Sequence, residues 1–349
     1  MFEFDTANAE KRQRRELLLN GAWLGILYGL ALRILANGHL AGFEVMSLGF
    51  IGLMPFAVGC LTIYFAEVER AQPLWRWFII PWLPMVGALL ATMLVLLEGA
   101  ICVVLFAPLA LALSSVGGMA GGLAGRFIRS RQARRATLAC VMFLPFFTAT
   151  WEKPVLHQLE LRRVENVIDI QAPPEVVWRN IERVPAIGKD ELPKTWAGRI
   201  GFPDPIEATL SHEGAGGVRN ATFERGLSFI ETIDVWEPQQ RLGFTIAANT
   251  ATIPPTTLDE HVRVGGEYFD VLRGEYRLEP LGNGVTRLHL SSEHRLATDF
   301  NWYAHLWTDA VMSDLQWRIL QVIKGRCENQ NHSPQRAQRS AERDYFQSA

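Results

Sequence analysis

The sequence predicts an α-helical membrane bundle of about five spans, followed by an α+β domain in which seven antiparallel strands face one long C-terminal helix. Three observations predict it. Charge is unevenly split: residues 1–151 hold 12 Lys/Arg and 8 Asp/Glu, whereas the rest of the 349-residue chain holds 22 and 28. Apolar runs of membrane-crossing length occur only in the first part, and period-two runs broken by turn residues fill the second until a helical period takes over. The mean hydropathy of +0.08 therefore averages two different solvents. This split excludes one uniform soluble fold, and the apolar content excludes a disordered or collagen-like chain. A net charge of −2 with a pI near 6.5 gives no general electrostatic reason to expect nucleic acid as a partner.

The expected spans are Leu17–Ala36, Phe43–Ala66, Trp77–Leu97, Ala100–Gly122 and Ala136–Thr150, the last extended by Trp151 as an interfacial anchor. Lys11, Arg12, Arg14 and Arg15 precede the first span, and Arg70 and Arg76 lie between the second and third. Arg126, Arg129, Arg131, Arg134 and Arg135 lie between the fourth and fifth, whereas the alternate loops contain no Lys or Arg. Retention of basic loops on the cytoplasmic side then places the amino terminus in the cytoplasm and, after five crossings, the carboxy-terminal half outside it. Lys153, Arg162 and Arg163 run against that rule. Gly117, Gly121 and Gly125 recur every four residues, with Gly118 and Gly122 alongside, so another helix can approach closely and helix–helix association is expected there. Arg33, Glu44, Glu67 and Glu98 sit near span ends, where reaching out to water would explain them. Cys60, Cys102 and Cys140 fall in spans and Cys327 is alone in the second half, which allows no disulfide there; without a CxxC or Cys/His cluster, neither a metal nor a cofactor is expected.

The boundaries that follow are a basic N-terminus over 1–16, spans within 17–151, a polar linker over 152–163, a folded domain over 164–328 and a flexible polar tail over 329–349. Val164–Gln171 alternates like a half-buried strand, and Ala172-Pro173-Pro174 stops it and opens a helix over Glu175–Arg183, with Val177, Trp178 and Ile181 on its buried face. Strands are expected over Glu207–His212, Val218–Glu224, Ser228–Trp236, Arg241–Asn249, Tyr268–Glu279 and Gly284–His294, and a long helix over Trp302–Arg326. Gly214–Gly217, Glu237-Pro238-Gln239-Gln240 and Gly282-Asn283-Gly284 supply the turns between strands. Hairpin-connected strands in this order make a curved antiparallel sheet whose concave face one amphipathic helix covers.

Three segments resemble the START-like (SRPBCC) superfamily of helix-grip domains, which includes polyketide cyclase/dehydrase and lipid-transfer proteins. They are Ile170-Gln171-Ala172-Pro173-Pro174-Glu175-Val176-Val177-Trp178, the run Glu231–Phe244, and the last helix ending in Ile323-Lys324-Gly325-Arg326. The resemblance covers residues 160–328 and none of the bundle. It implies an apolar cavity between sheet and helix, in a fold that hosts binders, carriers and enzymes alike. By parity Ile233, Leu242, Phe244, Ile246, Leu272, Tyr276, Leu288 and Leu290 share the inner face, with Trp307 and Val311 opposite on the helix; the plainer expectation is that such residues fill a core. Glu260 and His261, in the loop from Thr250 to Glu267, and His294 are polar candidates for the pocket or its lid, while His305, Asp309 and Asp314 lie on the last helix.

Three functions are compatible with this organisation. The first is a membrane-tethered protein that binds or transfers a lipid or other hydrophobic small molecule, held near the bilayer by a linker of twelve residues that reaches about 40 Å at most. The second is a cyclase/dehydratase-like enzyme, which needs polar groups converging inside the cavity. The third is a sensor or assembly factor that recognises a partner through an exposed apolar patch. Arginine outnumbers lysine 29 to 5, a bias typical of GC-rich genomes, so a bacterial inner membrane with the domain in the periplasm is the expected location.

Overall fold

The computed structural model describes residues 21–36, 46–69, 71–95, 97–128, 130–147, 159–249 and 264–347, with the side chains of 69 and 331–347 outside the description. The chain divides into two compact units, the second beginning at Leu159.

The first unit is helical. Helix α1 covers Gly21–Ala36; a π turn at Gly49–Leu53 runs into α2, Met54–Glu69. After Pro73 come α3, Leu74–Ile79, and α4, Trp82–Leu94, separated by Pro81. Helix α5 is Ala100–Phe127, and α6 is Arg131–Phe143, followed by a 3-10 turn over Leu144–Phe146. The segments Gly49–Val68, Leu74–Leu94 and Ala100–Phe127 are long and apolar enough to cross a membrane. Helix α6 starts five residues before the expected span because the Ser130 hydroxyl accepts the Ala133 N–H and fixes its first turn at Arg131. At 13 residues it rises only about 20 Å, less than the ~30 Å hydrocarbon core.

Glycine contacts set the direction of each helix. A Cβ at Gly25 would meet Thr62 and Pro84, and one at Gly29 would meet Val58 and Ala88, so α1 is antiparallel to α2 and parallel to α4. A Cβ at Gly117 would fall 1.9 Å from the Phe56 carbonyl oxygen, and one at Gly121 would fall 2.2 Å from that of Cys60. Gly125 lies against Tyr64 and Glu67, so α5 runs parallel to α2. Gly118 and Gly122 press on Trp77 from the other side. Helix α6 returns beside α1, where the Tyr28 hydroxyl donates to the Met142 carbonyl at 2.7 Å. Helices α1, α2, α4 and α5 thus alternate in direction, and the glycine stripe packs against helices of the same chain.

Glu67, Arg33 and Glu98 pair within the unit rather than reaching out to water. The Glu67 carboxylate, buried, accepts from the Gln72 N–H at 2.7 Å, Trp77 Nε1 at 3.2 Å and Arg126 Nε at 2.8 Å. Arg33, 2% exposed, donates to Glu98 and to the Leu97 carbonyl. Pairing lowers the cost of holding charge away from water. Glu44 lies outside the described residues.

In the second unit β1 is Glu160–Ile170, α7 Pro174–Glu182 and α8 Trp196–Arg199. Strands β2 Pro205–Leu210, β3 Val218–Phe223, β4 Ser228–Glu237, β5 Arg241–Asn249, β6 Phe269–Gly282 and β7 Val285–Leu296 follow. Helix α9, Asn301–Gln347, closes the chain. All seven strands form one antiparallel sheet in the order β1-β7-β6-β5-β4-β3-β2. Strand β1 starts four residues earlier than expected because β7 is long enough to pair with it from Thr286 to Leu296, which takes Glu160–Arg163 out of the linker. The turn at Gly282, Asn283 and Gly284 has φ of 83°, 53° and 71°, left-handed values that these residue types tolerate. Helix α9 runs on past Glu328 to Gln347, in keeping with the Ala, Gln, Arg and Glu content of that stretch.

Gly117→Val or Gly121→Val should drive a side chain into the α2 backbone and destabilise the bundle by about 3 kcal/mol or more. Gly325→Ala, with nothing within 4 Å of the new Cβ, should leave the protein as stable or stabilise it by about 0.5–1 kcal/mol. Thermal unfolding of the full chain in detergent measures both.

Candidate ligand-binding site

Helix α9 meets the sheet unevenly. From Gln316 to Cys327 it buries Gln316, Arg318, Leu320, Val322, Ile323 and Cys327. Leu320, Ile323 and Cys327 pack there with Ile168 and Ile170 of β1, Val177, Trp178 and Ile181 of α7, and Leu288 of β7. From Asn301 to Leu315 only Met312 is buried, and the other residues are half-buried or exposed. One end of the sheet is therefore sealed by an apolar core, and the other lies under a helix that stays partly open.

The side chains under the open half are polar. Alternation along β4 places Phe229, Glu231 and Ile233 on one face, and Ile233 belongs to the core that holds Leu320, so Glu231 faces the helix too. Directly opposite on β3, Arg219 donates from Nη1 to Glu231 at 2.7 Å. The two are 3% and 7% exposed. The Arg219 guanidinium also lies 5.6 Å from the Phe244 ring and 5.7 Å from the Tyr276 ring. Burial pushes the Glu231 carboxyl up, with the Arg219 charge opposing, and burial likewise pushes the Tyr276 hydroxyl up. On β7, Ser292 accepts from Gln316 Nε2 at 2.9 Å, and His294, fully buried, lies with Nε2 3.3 Å from the Thr308 hydroxyl and 3.5 Å from Asp309. Arg219 Nε, His294 Nδ1, Trp307 Nε1 and Gln316 Oε1 are buried without a hydrogen-bond partner. The large majority of buried side-chain polar atoms are normally satisfied, so four unpaired ones on the facing surfaces of one sheet and one helix are an unusual concentration.

Of the residues expected to line a cavity, Ile233, Leu242, Phe244, Tyr276, Leu288 and Leu290 lie in one core cluster, and Ile246 packs half-buried against it. Leu242 and Leu288 are wholly buried, in keeping with core filling. Trp307 and Val311 are half-buried on the open half of α9. Leu272 is a correction: a bulge between Val271 and Arg273 breaks the parity of β6, so Val271 is the buried residue and Leu272 only half-buried. Glu260 and His261 lie outside the described residues. His305 Nδ1 is 2.8 Å from the Asn301 carbonyl, Asp309 holds Arg162 through contacts of 2.6–3.2 Å, and Asp314 accepts from Thr195 at 2.6 Å. Sequence reasoning missed Arg219, Glu231 and Gln316. The signal was available in part, since Arg219 and Glu231 occupy the buried phase of two consecutive strands.

Burial holds the His294 imidazole below its ordinary pKa of 6.5, so the folded protein keeps it neutral where the unfolded chain would protonate it. The unfolded state then binds more protons below pH 6.5, and stability falls with pH by up to about 1.4 kcal/mol per unit. Between pH 7 and pH 5, His294→Gln should lose less thermal stability than the unchanged protein; parallel melting curves test this.

No family model matches the chain, and no curated protein matches it. The solved structures to which it is similar are START- and cyclase-type proteins. An aromatase/cyclase from Streptomyces sp. R1128 is 15% identical and covers 48% of this chain and 94% of its own, with a TM-score of 0.30. A START superfamily protein from Mycobacterium smegmatis is 10% identical over 48% and 97%, with a TM-score of 0.32. Norcoclaurine synthase from Thalictrum flavum is 11% identical over 48% and 96%, with a TM-score of 0.30. At these scores the helix-grip architecture rests on the chain's own sheet and helix.

Proposed function

We propose that this is an integral membrane protein whose second unit binds or transfers a lipid or other hydrophobic small molecule between the sheet and α9. The observation that carries the reading is the contrast along α9: a sealed apolar core from Leu320 to Cys327, and a half-open stretch from Tyr303 to Leu315 over partnerless polar groups. An amphiphile fits such a site, with its apolar part against Phe244 and Ile246 and its polar part at Arg219, Glu231 and Tyr276. An enzyme of the cyclase/dehydratase kind is the second reading, favoured by the polar groups that converge inside the grip.

The alternating directions of α1, α2, α3–α4 and α5, with α6 returning beside α1, support five crossings, although α1 and α6 are shorter than the other three segments. With basic residues in every second loop, five crossings place the amino terminus in the cytoplasm and the binding unit outside, in the periplasm of a bacterial inner membrane. A reporter fused after Glu328 should then be active only in its periplasmic form; a cytoplasmic signal removes one crossing.

Native mass spectrometry of the full chain should find an apolar species that survives release from detergent. Arg219→Leu/Glu231→Leu, which removes both charges together and so leaves neither unpaired, should fold and lose about tenfold or more of that species. Equal retention by both proteins, or none by either, overturns the reading. Turnover of an aromatic substrate that stops in the double variant would favour the enzyme instead.

A further inference from the structure

The second unit carries exposed apolar side chains at one end. Trp302 and Leu306, one turn apart on α9, are 63% and 57% exposed, and Leu159 and Leu161 at the start of β1 are 60% and 66% exposed. Three contacts show that β1 and α9 start at the same end. Arg162 pairs with Asp309, Asn166 bonds to Ser313 at 2.7 Å, and Lys324 reaches the Asp169 carbonyl, so residue numbers rise together along strand and helix. The four apolar side chains therefore lie at the end where α9 stands half-open. Both flanks of the β5–β6 loop are there as well, since Asn249 ends β5 and Phe269 pairs with Leu296.

Two facts identify what covers this end. The chain enters it from the helical unit: eleven residues separate Phe147 from Leu159 and span at most about 40 Å, so the end cannot move far from the bilayer that α2, α4 and α5 are apolar enough to cross. Its chemistry is also that of an interfacial anchor, a tryptophan with leucines, the tryptophan offering both an apolar ring and a polar N–H. We propose that this end of the second unit inserts into the headgroup region of the bilayer holding the helices, with Trp302 and Leu306 as anchors. A ligand then passes between the acyl chains and the grip without crossing water. This rests on the membrane reading above and adds to it the face that docks.

The test uses the full chain in nanodiscs of equal parts phosphatidylethanolamine and phosphatidylglycerol, with a photo-crosslinking phenylalanine analogue replacing Trp302, Leu306, Leu281 or Leu94 in turn. Leu281 lies at the opposite end of the sheet, beside the β6–β7 turn, and Leu94 is an exposed residue of α4, 84% accessible. Lipid adducts several-fold more abundant at 302 and 306 than at 281, and comparable with those at 94, are expected. Adducts at 94 but not at 302 or 306 overturn the docking face alone. Absence at all four positions overturns the membrane reading with it. Adducts at 302 to a second copy of the chain, in place of lipid, assign the face to self-association and also overturn the proposal.

Discussion

One helix cannot cover seven strands. Strands about 4.8 Å apart make a sheet about 29 Å wide, whereas a helix with its side chains is about 10 Å across. The sheet must therefore curl around α9, and whatever the helix does not touch must be closed by other elements or left to a ligand. Helix α7 closes one end, stacking Trp178 edge-on against Trp236 at 5.1 Å. Along another flank Val184 and Ile187 hydrogen-bond to β2 and pack over Ala208, Ala221, Phe223 and Phe229. What remains is the strip below the first half of α9, and the polar residues are found there.

That strip contains an ion pair which contributes little to stability as such. Removing a carboxylate and a guanidinium from water costs several kcal/mol per ion, and a well-packed apolar pair at the same places is often as stable or more so. Arg219 and Glu231 are therefore hard to explain as cement. They do supply fixed charge, held by adjacent strands beside the Phe244 and Tyr276 rings on the face that α9 covers. Such a feature gives orientation to a ligand whose affinity comes mainly from apolar burial.

Much of the fold was legible from local pattern. The Ala172-Pro173-Pro174 corner, the buried face of α7 and six strand positions follow from periodicity and turn chemistry, which act within a few residues. What escaped depends on distant partners. The start of β1 is set by the length of β7, the position of Leu272 by a bulge against Glu293 and His294, and the pairing of Glu67 with Arg126 by the approach of two helices. The site was half-visible for the same reason: parity found Phe244 and Tyr276, but only the register between β3 and β4 shows that Arg219 and Glu231 meet.

The parallel packing of α2 on α5 bears on biosynthesis. Helices adjacent in sequence pack as soon as the second emerges, but α2 and α5 are separated by the return pass of α3 and α4. Until Arg126 has been made, 59 residues after Glu67, that carboxylate lacks the cation that neutralises it. Until then the Gln72 N–H and the Trp77 indole are the donors already at hand. The last half of α5 then acts as a latch, and a chain stopped before Arg126 has α2 to α4 but lacks the group that ties Glu67 to α5.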